Sequence, residues 1–385
     1  MAVYKLFPEK TATLHSRYPL YSTGLDPIME VNTYNVGSAA AVSRTLIAFN
    51  SIEQRNLIDT EISSTVQNGT NLDFKASIRA YLAEGAEAPT SYTIYAYPAY
   101  DNWDRGTGNF GDIPYAKDGV SWIYTKPDTY WTDPLPANVT ASYSSTAHGV
   151  EGGAWYTGSN GINLEHSQTH TVDSDHDLSI DVTKTVKLHY SHSIGQTLNS
   201  IPNYGFILKL DDSIEFSSDR NTFLKYFSHN THTIYPPCLE FRWNDVVRDT
   251  NLPNITGSLA SGDNVVLKIR GNKGRYADEG KQRFRLHVRP QFPVRTFATS
   301  SDYLNNYILP EESYWGLRDE YTKEMVIDYD TTYTKLSADN TSNYFDMYMN
   351  GLQPERHYRI LVKSIIDGTT SVIDENLVFK VVRNG

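Results

Sequence analysis

The feature that most constrains this chain is an alternation of apolar and polar residues with a period of two. Apolar residues occupy every second position over residues 74–82, and the pattern returns over 178–183, 206–210 and 239–243. Successive side chains of a β-strand point to opposite faces, so this period is typical of strands with one buried face. The sequence therefore predicts a protein built mostly from half-buried strands.

Helical patterning is scarce. The best candidate is residues 51–63, where Ile52, Leu57, Ile58 and Ile62 could line one face of a short helix. Turn-rich clusters, such as residues 102–111, separate the strand patterns. Many short strands joined by turns favour an all-β sandwich or barrel over a parallel α/β sheet.

The length of 385 residues exceeds what one hydrophobic core usually serves, so we expect more than one domain. Polar residues together with Pro253, Gly257 and Gly262 interrupt the strand pattern over residues 244–262. We predict a larger sandwich over residues 1–247 and a smaller one over 248–385.

A short motif in the second half has the form strand, turn, strand. Residues 344–349 and 358–362 read as strands, and Gly-Leu-Gln-Pro at 351–354 reads as the turn between them. This segment resembles the immunoglobulin-like and fibronectin type III sandwiches. The resemblance implies the same kind of fold for the smaller domain.

Charge and cysteine content narrow the classes of partner. The net charge of −11 argues against nucleic acid or an anionic membrane, because both select clustered Lys and Arg. The single Cys238 cannot form an internal disulfide, and we predict a small buried residue there. Residues 1–7 lack the apolar core of a secretion signal, so we expect synthesis and folding in a cytoplasm.

Several blocks of the first half occur in the order seen in a known module. They are Ala12-Thr13-Leu14, residues 43–50, residues 74–82 and 92–97, Trp103 and Trp122, residues 178–183, residues 225–228 and residues 235–241. Together they resemble the DNRLRE-type jelly-roll modules of bacterial glycan-binding proteins and phage virion proteins. Asn50 stands where the family has Asp. The resemblance implies a jelly-roll β-sandwich over about the first 245 residues.

The chain as a whole resembles virion structural proteins of contractile-tailed phages of marine bacteria. The resemblance includes the start of the chain and the segment His-Thr-Ile-Tyr-Pro-Pro-Cys-Leu-Glu at residues 232–240. It implies a neck, collar, tail or head-decoration component that assembles in the host cytoplasm. Its partners would be other virion proteins and copies of itself.

Motifs of catalysis are not found in the sequence. Gly-x-Ser-x-Gly, His-Glu-x-x-His and the phosphate-binding Walker loop do not occur. Acidic residues are frequent, but nothing nominates one pair as the two carboxylates of a glycosidase. We therefore expect a protein that is not an enzyme and that needs no cofactor.

Metal-type ligands are densest at His166, His170, Asp173 and Asp175. The two histidines would share a face only on a helix, whereas their surroundings indicate a loop or strand. The acidic run resembles the start of a calcium-binding loop, but Leu178 stands where the turn glycine belongs. We predict a polar loop between strands and no bound metal.

An aromatic-rich zone offers two interpretations. Its main members are Trp103, Trp122, Tyr130, Trp131, Trp155 and Tyr156. The favoured interpretation places these rings in the core or in subunit contacts, where Tyr and Trp are enriched. The alternative is a site where they stack on a host surface glycan, which would make the chain a glycan-binding module or a receptor-binding fibre component.

A basic stretch stands out in this acidic chain. Between residues 268 and 295 there are nine Lys or Arg against two acidic residues. On an extended strand Arg283 and Arg285 would share the face opposite Phe284 and Leu286. We hypothesise that Arg275, Arg283, Arg285 and Arg289 dock an acidic surface of another subunit. A solvated strand face is the alternative.

Overall fold

The strands that the alternation predicts are present, and the predicted all-β, sandwich-like fold class is confirmed. A computed structural model describes residues 2–36, 39–62, 73–217, 221–249, 265–292, 307–366 and 368–383. Of these described residues, those within 6–62 and 75–240 form one unit, the N-terminal sandwich. Those within 2–5, 73–74 and 241–383 form the other, the C-terminal sandwich. The predicted boundary at 247/248 stays a prediction, because residues 250–264 lie outside the described part.

The described residues up to 249 form twenty strands. They are β1 (Ala2–Leu6), β2 (Pro8–His15), β3 (Ile28–Val36), β4 (Ala39–Phe49), β5 (Phe74–Ala80), β6 (Leu82–Ala86), β7 (Ser91–Pro98), β8 (Tyr124–Lys126), β9 (Thr129–Tyr130), β10 (Val139–Thr140), β11 (Tyr143–Ser145), β12 (Gly149–Glu151), β13 (Trp155–Tyr156), β14 (Gly158–Ser159), β15 (Ile162–Asn163), β16 (His166–Thr171), β17 (Leu178–Asp181), β18 (Phe206–Leu210), β19 (Thr222–Phe227) and β20 (Cys238–Trp243).

The N-terminal sandwich is built on a large antiparallel sheet. Its strands follow the order β16-β7-β18-β4-β3-β19-β6, and β2 also pairs with β4. A smaller sheet contains β20, β5 and β17 in that order. The alternation predicted in β5 is confirmed, since Ala76, Ile78 and Ala80 are buried whereas Lys75 is exposed. These buried side chains form the apolar face of the smaller sheet.

Residues 99–165, between β7 and β16, form an insertion of short ribbons. They pair as β8-β9, β10-β13, β11-β12 and β14-β15. The tryptophans of this insertion share a hydrophobic core with Leu14, Leu46 and Ile207 of the large sheet. The insertion therefore covers the sheet, and this explains why all five residues of β18 are buried. The prediction that residues 206–210 have one exposed face was wrong, because the sequence pattern does not reveal the covering insertion.

Short helices complete this unit. They are α1 (Ser51–Leu57), continued by a π-helical turn at Ile58–Ile62, then α2 (Thr183–Ser193) and α3 (Asp212–Glu215). The helix predicted at residues 51–63 is confirmed as far as Ile62. The side chain of Asn50 accepts hydrogen bonds from the backbone N–H groups of Ile52 and Glu53, a role that Asn fills as well as Asp. Ile52 is 72% exposed, so its placement on the buried helix face was wrong.

Helix α2 is not predicted from the sequence pattern. Its residues include the β-branched Thr183, Thr185 and Val186, which are weak helix formers. Its N-cap residue, Val182, has no side chain that could accept a hydrogen bond from the first turn. The buried side chains Val186 and Leu188 hold it in place, so tertiary packing overrides local propensity here.

The C-terminal sandwich contains β21 (Val265–Arg270), β22 (Arg275–Ala277), β23 (Lys281–Pro290), β24 (Ser313–Asp319), β25 (Met325–Ile327), β26 (Ser337–Ala338), β27 (Asn343–Tyr348), β28 (His357–Ile366) and β29 (Thr369–Val382), with a 3₁₀ turn at Met349–Gly351. One sheet has the order β21-β23-β27-β26, and the other has β22-β29-β28-β24-β25. The pairing of β22 with β29 is parallel, and the other strand pairs of these two sheets are antiparallel in the described part of the chain. In this order the strands match the two sheets of an immunoglobulin-like sandwich.

Two local features strengthen this match. Trp315 lies in the core on β24 and stacks on Phe345 with 4.5 Å between ring centroids. The Tyr358 hydroxyl accepts a hydrogen bond from the Gln353 N–H at 2.8 Å and donates one to the Gln353 carbonyl at 3.3 Å. A buried Trp on this strand and a tyrosine corner are hallmarks of immunoglobulin-like domains. The predicted strand–turn–strand motif is thus confirmed.

We expect Tyr358→Phe to lower the free energy of unfolding of the C-terminal sandwich by about 1–3 kcal/mol, because it leaves two backbone groups of Gln353 without their partner. Urea unfolding of the full chain, with hydrogen exchange of the β27 and β28 amides to localise the effect, would measure this. Tyr321→Phe is the control, since that side chain is 89% exposed. Equal stability of the two variants would contradict the role of the corner.

Candidate functional site

An arginine lies at the centre of the N-terminal sandwich. Arg44, in the middle of β4, has no exposed surface. Its Nε and Nη2 donate to the two carboxylate oxygens of Glu215 at 2.6 and 3.0 Å. Its Nη1 donates to the Gly152 carbonyl of the insertion at 2.7 Å. The planar guanidinium thus binds the carboxylate with two parallel hydrogen bonds, the strongest geometry for such a pair.

Three aromatic rings surround this guanidinium. Its central carbon lies 5.0 Å from the ring centroid of Tyr143, 5.2 Å from that of Trp155 and 5.4 Å from that of Trp122. Rings at this distance attract a cation through their quadrupole. Burying a charge is expensive unless it is paired and hydrogen-bonded, and Arg44 meets both conditions.

Lys209 adds a second buried cation to the same carboxylate. Its side chain is 3% exposed, and its Nζ lies 2.9 Å from Glu215 Oε2. The same Nζ contacts Asp212 Oδ1. Asp212 and Glu215 are both on α3, which begins after Asp211, whose side chain accepts from the Ser213 N–H. The cap orients the helix so that both carboxylates reach Lys209.

A cavity of about 340 Å³ opens beside Lys209. Its lining includes Tyr97, Trp155, Glu165, Lys209, Asp212 and Phe216, and the hydroxyl-bearing Thr140, Ser142 and Thr157. The pKa of Tyr97 is raised above its ordinary value, first by burial and then by the negative charges of Glu165, Asp212 and Asp211. The cavity therefore combines aromatic rings with a surplus of carboxylates, and we take it as the candidate binding site.

The structure places most of the predicted aromatic zone in the core. Trp103, Trp122, Trp131 and Trp155 are all buried in one cluster. The indole N–H of Trp103 donates to the Tyr204 carbonyl, and that of Trp131 donates to the Trp122 carbonyl. Trp155 is the one tryptophan that borders the cavity.

The two tyrosines of the zone differ from its tryptophans. Tyr130 is 46% exposed and lies beside Tyr124 and His148. Tyr156 is partly buried and contacts Tyr100 edge-on. The glycan alternative, in which exposed rings stack on a sugar, therefore keeps Tyr130 as its most accessible ring.

The predicted weak metal candidates serve other contacts. His166 Nε2 lies 2.7 Å from the Thr185 hydroxyl, and burial lowers the pKa of His166 to about 4. His170 Nδ1 donates to the Asp175 carbonyl at 2.9 Å. Asp173 is exposed. Within the described ranges, no three His, Cys, Asp or Glu side chains converge as metal ligands would.

The predicted basic face exists, and Arg283 and Arg285 lie on it opposite the buried Phe284 and Leu286. Arg283 binds both oxygens of Asp346 on β27 at 2.7 and 2.9 Å, and Arg285 binds Asp339 at 2.7 Å. These acidic partners lie within the same sandwich and offset the positive charge. Docking onto another subunit stays a prediction.

The remaining residues predicted for docking differ in position. Arg275 is exposed on β22, and Arg289 is exposed on β23, where its Nη1 donates to the Pro290 carbonyl. Arg295, which ends the basic stretch but was not predicted to dock, lies outside the described residues. Cys238 is buried, as predicted.

Sequence reasoning missed the roles of Arg44, Lys209 and Glu215. A signal was present, because Arg44 and Lys209 interrupt strands that are otherwise apolar or small: 39–49 and 206–210. A charged residue between two such positions indicates either an exposed face or a buried ion pair. Without the partner Glu215, which lies 171 positions from Arg44, the sequence does not decide between them.

No family model and no curated protein matches this sequence. The candidate site therefore stands on its own geometry. Among the described residues, no helix has the length and apolar character needed to cross a membrane.

Replacing Arg44 should be costly. We expect Arg44→Met to lower the free energy of unfolding by about 3–5 kcal/mol, because Glu215 loses its bidentate partner while it remains buried. Adding Glu215→Leu should cost less than the sum of the single changes, and a double-mutant cycle by urea unfolding would measure the coupling. Arg55→Met, which breaks the exposed pair with Asp59, is the control and should cost under about 1 kcal/mol. A similar cost at both arginines would contradict the central role of Arg44.

The N-terminal sandwich should lose stability in acid. Burial lowers the pKa of His189 from 6.5 to about 3, so the folded state keeps the ring neutral where the unfolded chain already binds a proton. Stability is therefore present above about pH 6.5 and falls progressively as the pH drops towards 3. We expect His189→Leu to reduce the loss between pH 7 and pH 5 by about 2 kcal/mol, measured by urea unfolding at both pH values.

His192→Leu, on the same helix but at an exposed position, is the matched control. It should leave the difference between the two pH values close to that of the unchanged protein. If His189→Leu kept the full acid sensitivity, burial of this ring would not be its source.

Proposed function

We propose that this protein is a structural component of a tailed-phage particle and that it works through protein–protein interfaces. The observation that carries the proposal is that its tryptophans and its buried or paired cations make contacts within the protein's own sandwiches. Four tryptophans fill a core, Arg44 and Lys209 share a buried carboxylate, and Arg283 and Arg285 bind acidic neighbours in the same sandwich. Side chains that hold the fold rigid in this way suit a building block that presents fixed surfaces to its neighbours.

The order of the resembling sequence blocks supports the same proposal. Residues 12–14 lie in β2, residues 43–49 in β4 and residues 178–181 in β17, so these blocks fall on strands of one sandwich. A shared module would place its motifs in this way. The glycan-binding alternative draws less support, because a ring must be exposed to stack on a sugar and the four tryptophans of the zone are buried.

The immunoglobulin-like unit supplies a second rigid element. Its core joins aromatic residues of both sheets, among them Phe284, Trp315, Phe345 and Phe379. Sandwiches of this kind occur as cell-surface and adhesion domains that present sheet faces and loops to partners. Fold alone does not define function, so the proposal needs a direct test on particles.

Quantitative mass spectrometry of gradient-purified particles, from a phage that encodes this chain, is the direct test. We expect the protein to co-purify with the particles at a fixed ratio to the major capsid protein, as symmetric assembly requires. A stop codon at Gln54 should give particles that lack the protein and are incomplete or not infectious, and suppression of the stop should restore them. Presence in infected cells but loss from purified particles would reject the proposal.

A further inference from the structure

The cavity beside Lys209 is lined by charged groups that are not all needed to hold the fold together. The charges of the neighbouring buried network are compensated, because the cations Arg44 and Lys209 pair with the carboxylates Glu215 and Asp212. Glu165, which also lines the cavity, brings a further negative charge that this network does not balance. The groups around the cavity therefore carry a surplus of negative charge.

The electrostatic effect of these carboxylates reaches the tyrosines of β7. The pKa of Tyr95 is raised first by burial, then by the negative charges of Asp211, Glu165 and Asp212. The same three carboxylates act on Tyr97, which lines the cavity. Of the two tyrosines, Tyr97 lines the cavity, so these carboxylates lie close enough to act on a ring of the cavity wall.

Apolar surface lies next to the carboxylates. Phe216 is 48% exposed and lines the cavity, and Trp155 forms part of the wall. The Trp155 ring is stacked on Tyr97 and lies near the cations of Arg44 and Lys209. With these neighbours, only 3% of the surface of Trp155 is exposed. The cavity thus has aromatic walls but no broad exposed tryptophan face of the kind that stacks on a sugar ring.

We propose that this cavity binds an alkyl chain that ends in an ammonium or guanidinium group. The chain would lie against Phe216 and the edge of Trp155, and the cation would bind the carboxylates of Glu165 and Asp212. Charge-assisted hydrogen bonds and aromatic walls together are the usual means of recognising such a group. The volume of about 340 Å³ lies at the small end of ligand pockets and suits one side chain or a short diamine.

This inference goes beyond the proposed function and does not depend on it. The same chemistry could come from a Lys or Arg side chain of a neighbouring protein or from a free diamine. A basic side chain inserted here would give a subunit contact with a defined position. A free diamine would make the cavity a small-molecule site.

Isothermal titration calorimetry of the full chain with 1,5-diaminopentane tests the proposal. We expect saturable binding that weakens as salt is added, and no binding of the neutral isostere 1,5-pentanediol. Glu165→Lys should weaken diamine binding about fivefold or more, because it reverses a charge at the cavity. N-acetyl-lysine methylamide separates the two sources: its binding favours a protein side chain, and binding of the diamine alone favours a free diamine.

Asp173→Lys is the matched control. Asp173 is also exposed and follows β16, whereas Glu165 precedes that strand, so the two substitutions change the net charge equally at opposite ends of it. Asp173→Lys should leave diamine binding unchanged within about twofold. Equal weakening by both variants would indicate general attraction to an acidic protein and overturn the proposal. Equal binding of the pentanediol, or no binding of the diamine, would also overturn it.

Discussion

The N-terminal sandwich depends on one buried ion pair. Arg44 connects the centre of the large sheet, through its Nε and Nη2, to Glu215 of α3 and, through its Nη1, to Gly152 of the insertion. These three parts are far apart in sequence and meet at one planar cation. A buried pair contributes little net stability, but any arrangement that separates its members leaves a buried charge without compensation. We therefore see Arg44 as the group that fixes how the insertion and α3 sit on the sheet.

The C-terminal sandwich reaches rigidity by another route. Its core is a continuous set of aromatic rings, in which Phe284 stacks on Phe345 and Phe345 stacks on Trp315. Ion pairs such as Arg359 with Glu320 lie on its surface and not in its centre. The tyrosine corner then ties the turn after β27 to the start of β28. Surface pairs of this kind add little, so apolar packing carries most of the stability of this unit.

The buried network also explains the character of the cavity beside it. Lys209 alone would repel a cation in the cavity, but its ion pairs with Glu215 and Asp212 offset its positive charge. Glu165 lines the same space and adds a carboxylate to which neither Arg44 nor Lys209 is paired. The residues that stabilise the fold thus leave a negative aromatic pocket at its edge. In a protein proposed to act through interfaces, such a pocket offers a defined point of contact.

The sequence alone determined the all-β class, the buried face of β5 and the strand–turn–strand motif ending in β28. These depend on local periodicity and turn chemistry, which are readable over a few residues. Only the tertiary structure decided that the aromatic zone is a core, that both faces of β18 are buried and that Arg44 meets Glu215. Each of these requires two segments that are distant in the chain to come together. The sequence of a single strand does not reveal which segment covers its second face. The candidate cavity belongs to this second group, because its walls come from the insertion, β7, β18 and α3 together.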